Sequence, residues 1–160
     1  MSFAEWQKNG WVRPHQSSPQ EVAALLAVIE RDLETSDSEG LNDDWRFAIA
    51  YNAALQSASL ALKASGFDVP KGSGAHHRTI ESLKLTLADD DTTVELLQAF
   101  RAKRGGGIYE SVGIASATEI KEVRNVAKLL YRRLAEWLKK VHPELVPPAG
   151  GKSKKPKRNS

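Results

Sequence analysis

The stretch Ser116-ATEIKEVRNVAKLLYRRLAEWLKKV-His142 decides the fold. Its apolar residues fall at Ile120, Val123, Ala127, Leu130, Leu134, Trp137 and Val141, in alternating steps of 3 and 4, with Lys, Arg and Glu elsewhere. That spacing gathers them on one stripe of an α-helix, and Pro143 stops it, because the residue before a proline is pushed out of helical geometry. One strongly amphipathic helix must lay its stripe on other helices or on a sheet. The rest of the chain says which.

Upstream, helix signals recur and strand signals are nearly absent. Ser18 followed by Pro19 reads as a cap with proline at the first helical position, and Val22, Leu25, Leu26, Ile29 and Leu33 predict a helix over 19–35. A loop over 35–41 precedes Asn42, a second cap, with Asp43 and Asp44 at the positive end of the next helix. That helix runs to about Ser65 and is apolar on most sides, which predicts a central position. After a loop with Gly66, Pro70, Gly72 and Gly74, a shorter helix over 75–87 carries Ile80, Leu83 and Leu87. Thr92 or Thr93 then caps a helix with Val94, Leu97 and Phe100 that ends at Gly105, Gly106 and Gly107. Five substantial helices on short loops predict an all-α, up-and-down bundle over 18–146. Residues 1–17 are expected to dock through Phe3, Trp6 and Trp11, and 147–160 to form a disordered basic tail.

Composition agrees with one globular domain: 160 residues, 41% hydrophobic and 27% charged, with no Cys. The missing thiols exclude Cys-ligated zinc, iron–sulfur clusters and thiol chemistry. No apolar run approaches the ~20 residues that cross a bilayer, so no membrane partner is expected. The N-terminus shows no basic region leading into an apolar one, so the expected address is cytoplasmic. The formal net charge of +3 belongs to the tail, where Lys152, Lys154, Lys155, Lys157 and Arg158 stand without an acid. Removing those five leaves 18 basic against 20 acidic residues, a slightly acidic body.

The most suggestive cluster is Arg101-Ala-Lys103-Arg104-Gly-Gly-Gly-Ile-Tyr109-Glu110. Arg101 and Arg104, three apart, share a helix face and can hold a phosphate through charge-assisted donors, while the glycines free the backbone to approach a ligand. Cations in a last turn and glycine after it are also ordinary helix termination. Tyr109 suits base stacking or phosphate donation, and equally a helix seam. His76 and His77 open the short helix and precede Arg78. Neighbouring helical residues point about 100° apart, so the pair is not a two-His metal site; an anion site at this first turn is the better reading, and no metal or cofactor is expected. Asn52, inside the most apolar helix, demands a hydrogen-bond partner, expected in a loop.

Taken together, the run Leu41-Asn-Asp-Asp-Trp45-Arg-Phe-Ala-Ile-Ala-Tyr51-Asn52, then Gly74-Ala-His76-His77-Arg78-Thr, then Arg101-x-Lys103-Arg104 leading to Tyr109, resembles small prokaryotic proteins of the HEPN superfamily. The resemblance covers about 41–138. It implies a helical bundle, often dimeric, and in many members a metal-independent ribonuclease whose signature is an Arg, four to six residues, then a His. Some members partner minimal nucleotidyltransferases in toxin–antitoxin pairs. The signature Arg matches Arg104, but the position of the His holds Tyr109, and the polar residue that often follows the Arg is Gly105. A free tyrosine, with a pKa near ~10, is about one part in a thousand anionic at pH 7, so Tyr109 is a poor replacement for a base. The resemblance therefore implies an RNA-binding homodimer with Arg104 and Tyr109 as a degenerate catalytic motif, and Arg101, Lys103, His76, His77 and Arg78 as nucleic-acid contacts. The alternative is a non-catalytic helical partner module, of the antitoxin or nucleotidyltransferase-partner kind.

Overall fold

The structure, a computed structural model, describes residues 2–88, 91–105 and 116–146. Its elements are α1 (Phe3–Lys8), β1 (Arg13–Pro14), α2 (Pro19–Ser36), α3 (Asp43–Ala64), β2 (Phe67–Asp68), α4 (Ala75–Glu81), α5 (Leu83–Thr86), α6 (Asp91–Gly105) and α7 (Ala117–Val141), followed by a 3₁₀ turn at Pro143–Leu145. The fold is the expected all-α bundle. The basic tail and Tyr109 lie outside the described residues.

The helix starts follow their caps. Ser18 accepts from the Glu21 amide at 3.1 Å with Pro19 behind it, and Asn42 accepts from the Trp45 amide at 2.9 Å. Ser116 and Glu119 form a reciprocal capping box at the head of α7, with bonds of 3.0 and 3.1 Å. α3, buried on most sides, is the central post, packed against α2 and α7 and touching α4, α5 and α6. Phe47, Tyr51 and Leu60 of α3 are buried with Ile29 of α2 and Leu130, Leu134 and Leu138 of α7.

Several boundaries differ from expectation for identifiable reasons. The α7 stripe closes on Leu138, not on Trp137 and Val141; Val141 is 50% exposed. A strict 3–4 alternation averages 3.5 residues per turn, and against 3.6 it drifts by ~20° per heptad, so by the last turn the straight helix has rotated Val141 outward. The short helix over 75–87 is broken at buried Ser82, whose hydroxyl donates to the Thr79 carbonyl at 2.6 Å while the Leu85 amide takes the Ser82 carbonyl at 2.9 Å. That local bonding competes with the regular ladder and tightens the turn. α6 starts at Asp91, so Thr92 and Thr93 lie inside its first turn rather than capping it. Asp91 puts negative charge at the helix's positive end and meets Lys84 at 3.6 Å.

A second small core sits beside the bundle. Trp6, Val12, Leu62 and Val69 are buried together, Phe3 stacks on Phe67 at 4.7 Å, and Trp6 meets Trp11 edge-on at 5.7 Å. β1 and β2 pair antiparallel, with Arg13 opposite Asp68, and close this core over the end of α3. Two residues per strand carry no periodicity that a sequence can show.

Asn52 finds its partner on a helix rather than a loop. Its Nδ2 donates to Asp32 Oδ2 at 3.2 Å, and Gln56 Nε2 donates to the same oxygen at 3.1 Å. The tie locks α2 to α3.

Candidate anion-binding cleft

A cleft of about 570 Å³ opens between α3, the loop before α4, and α6; its lining includes Tyr51, Lys71, His76, His77 and Arg101. The fold thus brings three of the expected site residues, His76, His77 and Arg101, to one place. Arg101 stands more than twenty residues after the two histidines and meets them because α4 and α6 pack against each other beside α3. Gly74, at the N-cap of α4 with φ +82, takes the left-handed conformation that lets the loop turn sharply into the helix. Among the described residues no carboxylate lines the cleft.

Arg101 is aimed by its neighbours. Its Nε donates to Gln98 Oε1 at 2.8 Å, and Gln98 Nε2 donates in turn to Glu81 Oε2 and to the His77 carbonyl, each at 3.0 Å. Among the described residues no carboxylate pairs with Arg101, so its charge is available to a ligand in the cleft. Gln98 also ties the backbone that carries His77 to the helix that carries Arg101, which holds both sides of the cleft in register.

Glu81 anchors this relay. Burial by itself raises its carboxyl, but hydrogen bonds from Gln98 and Lys84 and the charges of Lys84 and His77 outweigh burial and hold it below the usual carboxylate value. Lys84 is raised in return, chiefly by its hydrogen bond to Glu81 at 3.1 Å. A carboxyl lowered on folding adds stability above its unfolded value, and that stability is lost as pH falls through the folded value. Acid is therefore expected to lower the melting temperature of Glu81→Gln less steeply than that of the wild type between pH 5 and pH 3. Parallel slopes in a thermal-melt series would remove this role.

The other expected residues are placed elsewhere. Arg78 turns from the cleft and sets its guanidinium over the Trp11 ring, 5.3 Å from the centroid, joining α4 to the small aromatic core. Lys103 pairs with Glu119, so it links α6 to the capping box of α7; this bond is the main reason the Glu119 carboxyl is held low. Arg104 falls in the last turn of α6.

The chain matches no family model, no curated protein and no solved structure. Its chemistry is read from the cleft alone. Two residues there escaped the sequence reading. Tyr51 counts as core by its helical position, and it is indeed buried, yet it borders the cleft. Lys71 stands between Pro70 and Gly72, and a cation in a glycine-rich turn was the available signal. Arg and Lys side chains with two imidazoles, and no acid among the described lining residues, favour an oxyanion. Among the described residues no group of three His, Asp or Glu is placed to hold a metal ion.

Proposed function

We propose that this chain is a HEPN-like protein that binds RNA, gripping phosphate in the cleft of Tyr51, Lys71, His76, His77 and Arg101. Arg104 and Tyr109 stand as a degenerate motif for metal-independent cleavage. The observation that carries the reading is a cleft whose described charged lining is cationic, with an Arg101 that no described carboxylate neutralises. The helical bundle and the sequence motifs around Trp45, His76 and Arg104 support the family side of it.

The test is binding of a labelled single-stranded RNA at low salt, because phosphate contacts weaken steeply as salt rises. A charge-assisted hydrogen bond contributes about 1.5–3 kcal/mol, so Arg101→Ala is expected to weaken binding about tenfold or more, and Lys71→Ala by less. Unchanged affinity in Arg101→Ala would exclude the cleft. The catalytic part is read by comparing cleavage by the wild type with cleavage by Arg104→Ala. Equal cleavage by both would mean that the activity does not depend on this motif.

A further inference from the structure

A second cationic surface lies outside that cleft. At 100° per residue, Lys121, Arg124, Lys128, Arg132 and Lys139 fall on one flank of α7 about 80° wide, and no Asp or Glu of the helix falls there. From Lys121 to Lys139 the flank runs about 27 Å at 1.5 Å per residue. Near its start it borders a groove of about 410 Å³, lined among others by Arg46, Lys121, Arg124 and Lys128, with Asp43 as the one acid among the described lining residues.

Among the described residues, part of this charge has no carboxylate partner. Arg124 and Lys128 share a single carboxylate, Asp37. The Arg46 guanidinium is held by two backbone carbonyls, Leu41 at 3.0 Å and Ser38 at 2.6 Å, which orient it without neutralising it. Among the described residues Lys121, Arg132 and Lys139 have no carboxylate partner. Trp45, beside Arg46 in the first turn of α3, is 60% exposed. Its indole is therefore open to solvent in the same helical turn as the oriented cation.

We infer that the α7 flank and the groove at its start bind the phosphodiester backbone of a single-stranded nucleic acid, with Trp45 stacking on a base. A linear row of cations fits a polymer of regularly spaced phosphates better than one small anion, and an exposed indole suits unpaired bases. The ligand class rests on the one proposed for the cleft, but no residue is shared, so either surface can fail while the other holds.

The test uses the full chain and a labelled single-stranded RNA between 50 and 200 mM salt. Each lost contact to a single strand removes about 0.7 from the slope of log K against log salt, so Lys121→Glu/Arg132→Glu/Lys139→Glu is expected to flatten the slope by about two and to weaken binding at least tenfold at the lower salt. Trp45→Ala is expected to weaken it about fivefold or more, the scale of one stacked base. A control, Lys8→Glu/Lys63→Glu/Lys140→Glu, changes net charge equally off the flank and is expected to have the smaller effect; an equal effect overturns the inference in favour of overall charge. So does inorganic pyrophosphate competing as well as RNA at equal phosphate. Wild-type affinity and slope in the flank variant overturn it as well, while leaving the cleft to Arg101→Ala. A wild type that binds no single-stranded RNA at 50 mM salt overturns both readings. Matching melting temperatures for all variants confirm that folding is not what changed.

Discussion

Phe47→Ala is expected to cost roughly 3–5 kcal/mol of stability, the range for truncating a fully buried phenylalanine, and to lower the melting temperature on the order of 10 °C in a chain of this size. Phe47 is 1% exposed, on the central helix α3, and meets Phe100 of α6 edge-to-face at 5.5 Å. Because α3 touches most other elements, the cavity left by the ring has little freedom to collapse. An aromatic pair of this geometry adds about 0.5–1.5 kcal/mol beyond burial, so a cycle with Phe100→Ala should show coupling of that size. Urea unfolding of the four proteins measures both quantities. A loss under 1 kcal/mol for Phe47→Ala would mean that the α3–α6 contact is not the packed seam described. Phe100 immediately precedes Arg101, so a loosened seam should also blunt the cleft.

What was legible in the sequence was local. Ser18, Asn42 and Ser116 announce helix starts because a side-chain oxygen answers an amide two or three residues on, a bond that needs no tertiary partner. The near-uniform apolar character of α3 marks it as central, since a helix with no polar face has nowhere to meet water. Contacts between distant elements were not legible. Nothing near Arg101 in sequence says that Gln98 will join it to Glu81 and His77, and nothing near Arg78 says that Trp11 will take its guanidinium. The cleft depends on such pairings. Its histidines and Arg101 were visible as residue types, whereas their meeting with Tyr51 and Lys71 is a product of packing. The grouping of the α7 cations on one flank follows from the sequence once the helix is assigned, whereas the groove they border depends on packing against α3.

Asp32→Ala is expected to cost about 2–4 kcal/mol, although it removes only one short side chain. Asp32 is 8% exposed, and its carboxylate accepts from Asn52 and Gln56 on α3 and from Arg31 beside it. Removing the acceptor leaves two amide groups facing each other in a half-buried seam, and a desolvated donor without a partner costs about 1–3 kcal/mol. The penalty thus lies in the groups left behind. Two further proteins separate this from loss of bulk. Asn52→Ala alone removes one donor while Asp32 keeps Gln56 and Arg31, so it should cost less than Asp32→Ala. The double variant Asp32→Ala/Asn52→Ala removes the acceptor together with one orphan, so it should cost less than the sum of the singles by about 1 kcal/mol or more. Denaturant titrations give all three values. Strict additivity would mean that the carboxylate and the amides stabilise α2 and α3 separately; a shortfall in the double variant would identify one polar clasp holding the two helices in register, with α3 then fixed to present Tyr51 to the cleft.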